Sequence, residues 1–225
     1  MCEEVSGYKM IKRLGLYGMA VFILGFGIVL NTKAGLGVGS INTFPYAVSE
    51  ITPLSLGMST TLLYFVFVAA QMFIYRRIDI KILLQIPFSY VMGLIIDFYN
   101  ELMDFTIENF LLKLVVLAAA IVVTAIGAYV MVAMEIIPNP ADGMARAVGY
   151  AMKKEFGEGK LIFDCMMILI TAVISLLFAG RIIGIGLGTV LSALFIGRLI
   201  GLFGRIFGAR MKAILEESRR KKTVC

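Results

Sequence analysis

The sequence predicts an all-α polytopic membrane protein: about six transmembrane helices in two inverted three-helix repeats, each with a short non-spanning helix after its first span. Three observations carry this. The 225-residue chain is 60% apolar and 16% charged, where a soluble domain is about one half apolar and about one quarter charged. Its mean hydropathy is +0.94, and its charges gather between apolar runs long enough to cross a bilayer. Two polar interruptions, each with prolines and glycines, fall at corresponding places in the two halves.

The elements follow in order. Residues 1–10 read as a polar cytoplasmic tail, in which Glu3 and Glu4 rather than an apolar stretch surround Cys2, so the first apolar run is expected to be retained. Lys9, Lys12 and Arg13 precede a first span from about Leu14 to Leu30, where Gly15, Gly18, Gly25 and Gly27 suit close helix packing. The interruption Asn31–Pro45 follows, and Pro45 fits the first turn of a short helix from Thr43 to about Glu50. The second span, about Leu56 to Tyr75, ends at Arg76-Arg77. The third, about Ile82 to Phe98, carries a kink at Pro87. An acidic loop leads to the fourth and longest span, about Phe110 to Met134.

The second interruption is Glu135–Arg146. Asn139 can cap a helix with Pro140 at its first position and Asp142 at its third, running to about Lys154. The fifth span covers about Leu161 to Phe178, and alternating glycines (Gly184, Gly186, Gly188) open a sixth that ends near Phe207. Residues 208–225 form a basic cytoplasmic tail. Lysines and arginines concentrate at both tails and in the loops after the second and fourth spans, which predicts cytoplasmic termini.

Composition also excludes classes. The net charge of +6 sits at chain ends and short loops, where headgroups and topology account for it, and too little polar surface exists for nucleic acid. With no histidine and three scattered cysteines, no metal site, disulfide framework or nucleophile–base pair is visible, so neither an enzyme nor a cofactor is expected. Gly35–Gly39 and Gly184–Gly188 lack the strand and lysine context of phosphate loops.

At an offset of about one hundred residues, both halves give the same order of elements, so residues 11–105 and 106–207 are read as two membrane repeats. Gly25-Phe26-Gly27 ahead of the first break matches Gly127 ahead of the second, and Gly93 falls opposite Gly197. Pro140-Ala141-Asp142-Gly143, then Gly159-Lys160 and Asp164, then Gly184-Ile185-Gly186-Leu187-Gly188-Thr189 and Gly197, resemble the second-half signature of the YczE/YyaS/YitT family of bacterial integral membrane proteins. Gly35-Leu36-Gly37 and Ser55-Leu56-Gly57 are similar to its first half. Asn139-Pro140-Ala141 departs from the family's Gly-Pro before Asp-Gly. The resemblance, over about Leu14 to Phe203, implies a multi-pass protein of the bacterial cytoplasmic membrane with paired repeats, and implies little about substrate.

Candidate site residues lie at the breaks and at the deepest charges. Asn31, Thr32, Asn42 and Thr43 on one side, with Glu135 and Asn139 on the other, could face a central cavity, where short-helix N-termini would offer N–H groups to an anion. The alternative is that they only satisfy broken backbone. Asp142 and Arg146, spaced i, i+4, form either a charge lock or a surface pair. Asp164 is a carboxylate one turn inside the fifth span, with Lys160 at pairing distance; an intramembrane carboxylate suggests ion contact or proton coupling. Asp97 and Arg198 are the deepest opposite charges, but their spans run in opposite directions, leaving them roughly 15 Å apart in depth. The expected function is a small secondary transporter or permease working by alternating access on an unidentified small molecule or ion. The alternative is a non-transporting subunit or regulator that binds a protein partner. Besides the lipid bilayer, a homo-oligomer or protein partner is open, and no nucleic-acid partner is expected.

Overall fold

The computed structural model describes residues 2–77 and 79–219, all helix and connecting loop. The basic run Arg220–Lys222 of the expected C-terminal tail lies outside the described residues. Nine helices form among the described residues: α1 (Cys2–Lys33), α2 (Thr43–Ile51), α3 (Leu56–Tyr75), α4 (Ile80–Leu83), α5 (Gln85–Leu102), α6 (Phe110–Met134), α7 (Pro140–Ala151), α8 (Phe156–Ala179) and α9 (Leu187–Arg219). A single 3₁₀ turn, Ser40–Asn42, leads into α2. Among the described residues, six spans are long and apolar enough to cross a membrane: Met10–Lys33, Leu56–Tyr75, Ile80–Leu102, Phe110–Met134, Phe156–Ala179 and Leu187–Ala209. The first and last helices overrun their expected spans at the chain ends.

Local chemistry sets the boundaries. Ser55 caps α3 by accepting from the Met58 N–H at 3.0 Å, and Asn109 caps α6 by accepting from Leu111 and Leu112. Both α3 and α6 stop on a left-handed residue, Arg76 and Glu135, each with φ 49°. The expected kink at Pro87 falls earlier, at Leu84 between α4 and α5. Proline disrupts the turn ahead of it, because it clashes with the carbonyl four residues back.

The bundle is apolar on its surface as well as in its core. Phe73 is 85% exposed and Leu177 74%, while Gln71, Gln85, Thr43 and Asp164 are buried. That distribution suits a hydrocarbon surround, where polar groups must find partners inside. With lipid tails outside, packing of small residues rather than hydrophobic burial brings the spans together.

The two repeats meet about a pseudo-two-fold axis. A Cβ built on Gly27 would stand 2.7 Å from the Thr124 nitrogen and 2.9 Å from its Cα, and one on Gly127 would stand at the same distances from Leu24. Each partner thus lies one hundred residues from the other's counterpart, so α1 and α6 cross with the same close backbone approach seen from either side. The short helices trade places about this axis. Thr43, at the start of α2, lies with its hydroxyl 2.9 Å from that of Thr171 on α8. Pro140, at the start of α7, accepts at 3.3 Å from the side chain of Gln71 on α3. Thr171 is eight residues short of the end of α8, about 12 Å in. The α2 N-terminus therefore reaches inside the length of the spans.

The halves differ in closure. In the first, α3 and α5 touch at Gly57 and Gly93, and Asp97 accepts from the Ser55 hydroxyl at 2.6 Å and the Gly57 N–H at 2.7 Å. The one-hundred-residue offset places Gly157, Ala193 and Gly197 at the equivalent points, which corrects the expected match of Gly93 with Gly197. Neither Gly157 nor Gly197 has anything within 4 Å of a built Cβ, so α8 and α9 stand apart. A backbone seam shuts the opposite end of the second half. Val38 N–H donates to the Gly184 carbonyl at 2.8 Å and Gly188 N–H to that of Leu36 at 2.7 Å. Gly37, at φ +99° and with Gly186 where a side chain would be, allows that approach.

Candidate functional site

Both breaks open onto one cavity of about 80 Å³. The first contributes Gly39, Ser40, Ile41 and Asn42, and the second Asn139, Ala141 and Asp142. Tyr64 of α3, Thr124 of α6, Lys160 and Asp164 of α8 and Ser192 of α9 complete its polar lining. The pseudo-two-fold axis explains the pairing: Tyr64 stands against Asn139 of the second break, and Asp164, one hundred residues later, against Ser40 of the first. The axis thus places a phenol and a carboxylate on opposite walls.

The charges are arranged unequally. The Lys160 ammonium pairs with Asp142 at 3.7 Å, both side chains about one-fifth exposed. Asp164 is 4% exposed and lies nine residues into α8, about 12 Å from its start. Its Oδ1 has no hydrogen-bond partner. Thr124, also a lining residue, has none at its Oγ1 either. A buried acceptor left without a donor costs free energy on the order of 1–3 kcal/mol, so these two oxygens mark where a ligand or ordered water would be favourable. Among the described residues, no three acidic or cysteine side chains gather as a metal would require.

The short-helix N-termini are largely satisfied from within. Asn139 Oδ1 accepts from Ala141 N–H at 3.1 Å, Asn42 N–H donates to the Gly39 carbonyl at 2.8 Å, and Thr43 N–H to that of Ser40. The satisfied-backbone alternative therefore describes these groups better than free anion donors.

Of the predicted site residues, Asn42, Asn139, Asp142 and Asp164 line the cavity. Asn31 borders it through a 2.9 Å bond from Nδ2 to the Ser192 hydroxyl, while Thr43 is fully buried behind it. Thr32 donates to the Val29 carbonyl at 2.7 Å and faces away. Glu135 and Arg146 instead line a separate recess of about 140 Å³ with Lys81, Asn139 and Asp142. The expected Asp142–Arg146 pair does not form: Arg146 stacks 5.2 Å over Phe156, because Lys160 reaches Asp142 first from the facing helix. Lys160 thus pairs with Asp142 directly and acts on Asp164 only through space. Asp97 locks α3 to α5 and is not among the cavity's lining residues, and Arg198 is exposed, where a long side chain can reach towards the headgroups. Ser40, Tyr64, Thr124 and Ser192 were missed. Tyr64 could have been found from Asp164 by the repeat offset; the others carry no local signal.

Comparison with the curated proteins and with the solved structures gives no match. The family match found does not connect the chain to the YczE/YyaS/YitT family. Over residues 11–205 the chain matches the family of unknown function DUF6198, and it belongs to that family.

Proposed function

We propose that this protein is a small secondary transporter of a low-molecular-weight solute, seated in a bacterial cytoplasmic membrane with both termini cytoplasmic. The observation that carries the reading is the cavity lined by both breaks at the junction of two inverted repeats. Buried polar groups from five helices have no packing role there that apolar residues would not fill at lower cost.

The unequal closure of the halves supplies the mechanism. With Leu36–Val38 sealed against Gly184–Gly188 and α8 apart from α9, the cavity is closed towards the glycine seam and reached from the Asp142–Lys160 side. Exchanging the conformations of the repeats would open α3 from α5 and close α8 on α9, presenting the cavity to the other face. Inverted repeats make the two states nearly alike in energy, and a solute bound at the axis can cross without moving far.

Uptake into proteoliposomes, screened across radiolabelled solute classes, tests this. Accumulation that is lost when Asp164→Asn is purified in folded form is the expected result; no accumulation of any class by well-folded protein sinks it. A second reading, a non-transporting subunit, is favoured by α9, few of whose membrane-span residues are buried, leaving a face that could seat a partner helix. That reading predicts co-purification with one membrane protein and no uptake.

A further inference from the structure

The cavity's charges and open acceptors specify what it would hold. Asp142 and Asp164 bring two negative charges and Lys160 one positive, leaving the lining one charge negative. The only cation among these lining residues, Lys160, pairs with Asp142 and acts on Asp164 through space, while the Asn139 side chain takes an N–H of α7 and the 3₁₀ turn takes that of Asn42. An anion would therefore meet a buried carboxylate and few free donors. By contrast, the oxygens Asp164 Oδ1 and Thr124 Oγ1 are both buried and without a partner, and both belong to residues that line the cavity. The Tyr64 ring and the apolar side chains of Leu24, Ile28 and Ile196 form much of the remaining wall, a surface suited to the alkyl part of a cation.

We propose that this cavity binds a small protonated amine, with Asp164 as its counter-ion and Thr124 as a second hydrogen-bond acceptor. This deepens the transport reading by naming the class of solute. An ammonium brings the donors that both oxygens lack and a second positive charge for a site that holds two carboxylates and one lysine. A cavity of about 80 Å³ holds about six waters, hence a ligand of about six non-hydrogen atoms. Divalent cations fit poorly, since they take six or more oxygens with several carboxylates.

The test uses the full-length protein in detergent at pH 7, read by thermal shift and isothermal titration. The probes are butylamine, butyrate, butanol, tetramethylammonium and sodium chloride. Butylamine should raise the unfolding midpoint with saturation, butyrate and butanol should not, and tetramethylammonium, which has charge but no N–H, should bind more weakly than butylamine. Thr124→Val should weaken butylamine roughly tenfold, the loss of one hydrogen bond to a charged group. Asp164→Asn should abolish its binding. Asp164→Glu, which keeps the charge, should retain it and so guards against a general folding defect. Equal or stronger stabilisation by butyrate, undiminished butylamine binding in folded Asp164→Asn, a tetramethylammonium response matching that of butylamine, or saturation by sodium alone would each overturn the proposal. Proteoliposome uptake separates it from the broader reading. Amine binding without uptake removes transport and leaves the site standing. Uptake of another solute class, unaffected by Asp164→Asn, removes the amine site and leaves transport standing.

Discussion

Lys160 pairs with Asp142, 3.7 Å away on α7, although Asp164 stands one turn along its own helix. The choice follows from the fold. Gly149 and Gly159 let α7 and α8 approach so closely that a Cβ on Gly159 would stand 2.6 Å from the Gly149 Cα. This contact brings the first turn of α7 within reach of Lys160. The pair holds the second break to the second half, and Asp164 is left to the cavity.

Replacing Lys160 with Met should therefore leave two carboxylates facing one another without a cation. Breaking a fully buried pair costs about 3–5 kcal/mol, and the one-fifth exposure of these side chains reduces the expected loss to about 2 kcal/mol. Adding Asp142→Asn should recover part of it. A double-mutant cycle on thermal unfolding in detergent measures the coupling; additive effects of the two changes would show that the pair contributes nothing.

The reciprocal approach of Gly27 to Thr124 and of Gly127 to Leu24 predicts matched consequences. Gly27→Val and Gly127→Val each force side chain into backbone and should destabilise similarly, by about 2 kcal/mol or more. Gly157→Val and Gly197→Val, placed in open space, should alter stability by less than about 1 kcal/mol. Unequal losses at Gly27 and Gly127, measured by thermal unfolding, would argue against the axis.

The spans, the two breaks and the short helices were legible in the sequence because each rests on local signals: apolar length, Asn139 before Pro140, glycines around a turn. Asp164 stood out for the same reason, as a carboxylate inside an apolar run. Partner choice was not legible. The i, i+4 spacing of Asp142 and Arg146 is a real geometric opportunity, yet a helix distant in the chain supplied a better partner, and Arg146 moved over Phe156. Ser40, Thr124 and Ser192 are ordinary helix and turn residues, and their counterparts at the repeat offset, Pro140, Leu24 and Met92, single out nothing. Arg198 looked deep only because depth was counted along the span, without knowing which side of α9 faces the bundle.

Closing of the glycine seam gives a third prediction. A Cβ on Gly186 would stand 2.5 Å from the Leu36 carbonyl oxygen, the acceptor for Gly188 N–H, so Gly186→Ala should part the two loops at a cost of about 1–3 kcal/mol. A reporter cysteine at Val38, which is 2% exposed, should then react faster with an impermeant maleimide. An unchanged labelling rate would mean that the seam yields elsewhere.

The lock at Asp97 offers the most direct view of exchange between the halves. Asp97 holds the start of α3 through Ser55 and Gly57, whereas Gly197 at the equivalent place holds nothing. Asp97→Ala removes two hydrogen bonds to a charged group, each worth about 1.5–3 kcal/mol, from the closed half only. Every 1.4 kcal/mol of that loss moves the balance between states about tenfold. The conformer with α8 closed on α9 should become more populated. With Cys2, Cys165 and Cys225 replaced by serine, the pair Gly157→Cys and Gly197→Cys reports it, because a disulfide needs Cα atoms within about 7 Å. Oxidative cross-linking should be slow with Asp97 in place and at least about tenfold faster in Asp97→Ala. Equal rates in both backgrounds would show that opening α3 from α5 does not drive closure of α8 on α9.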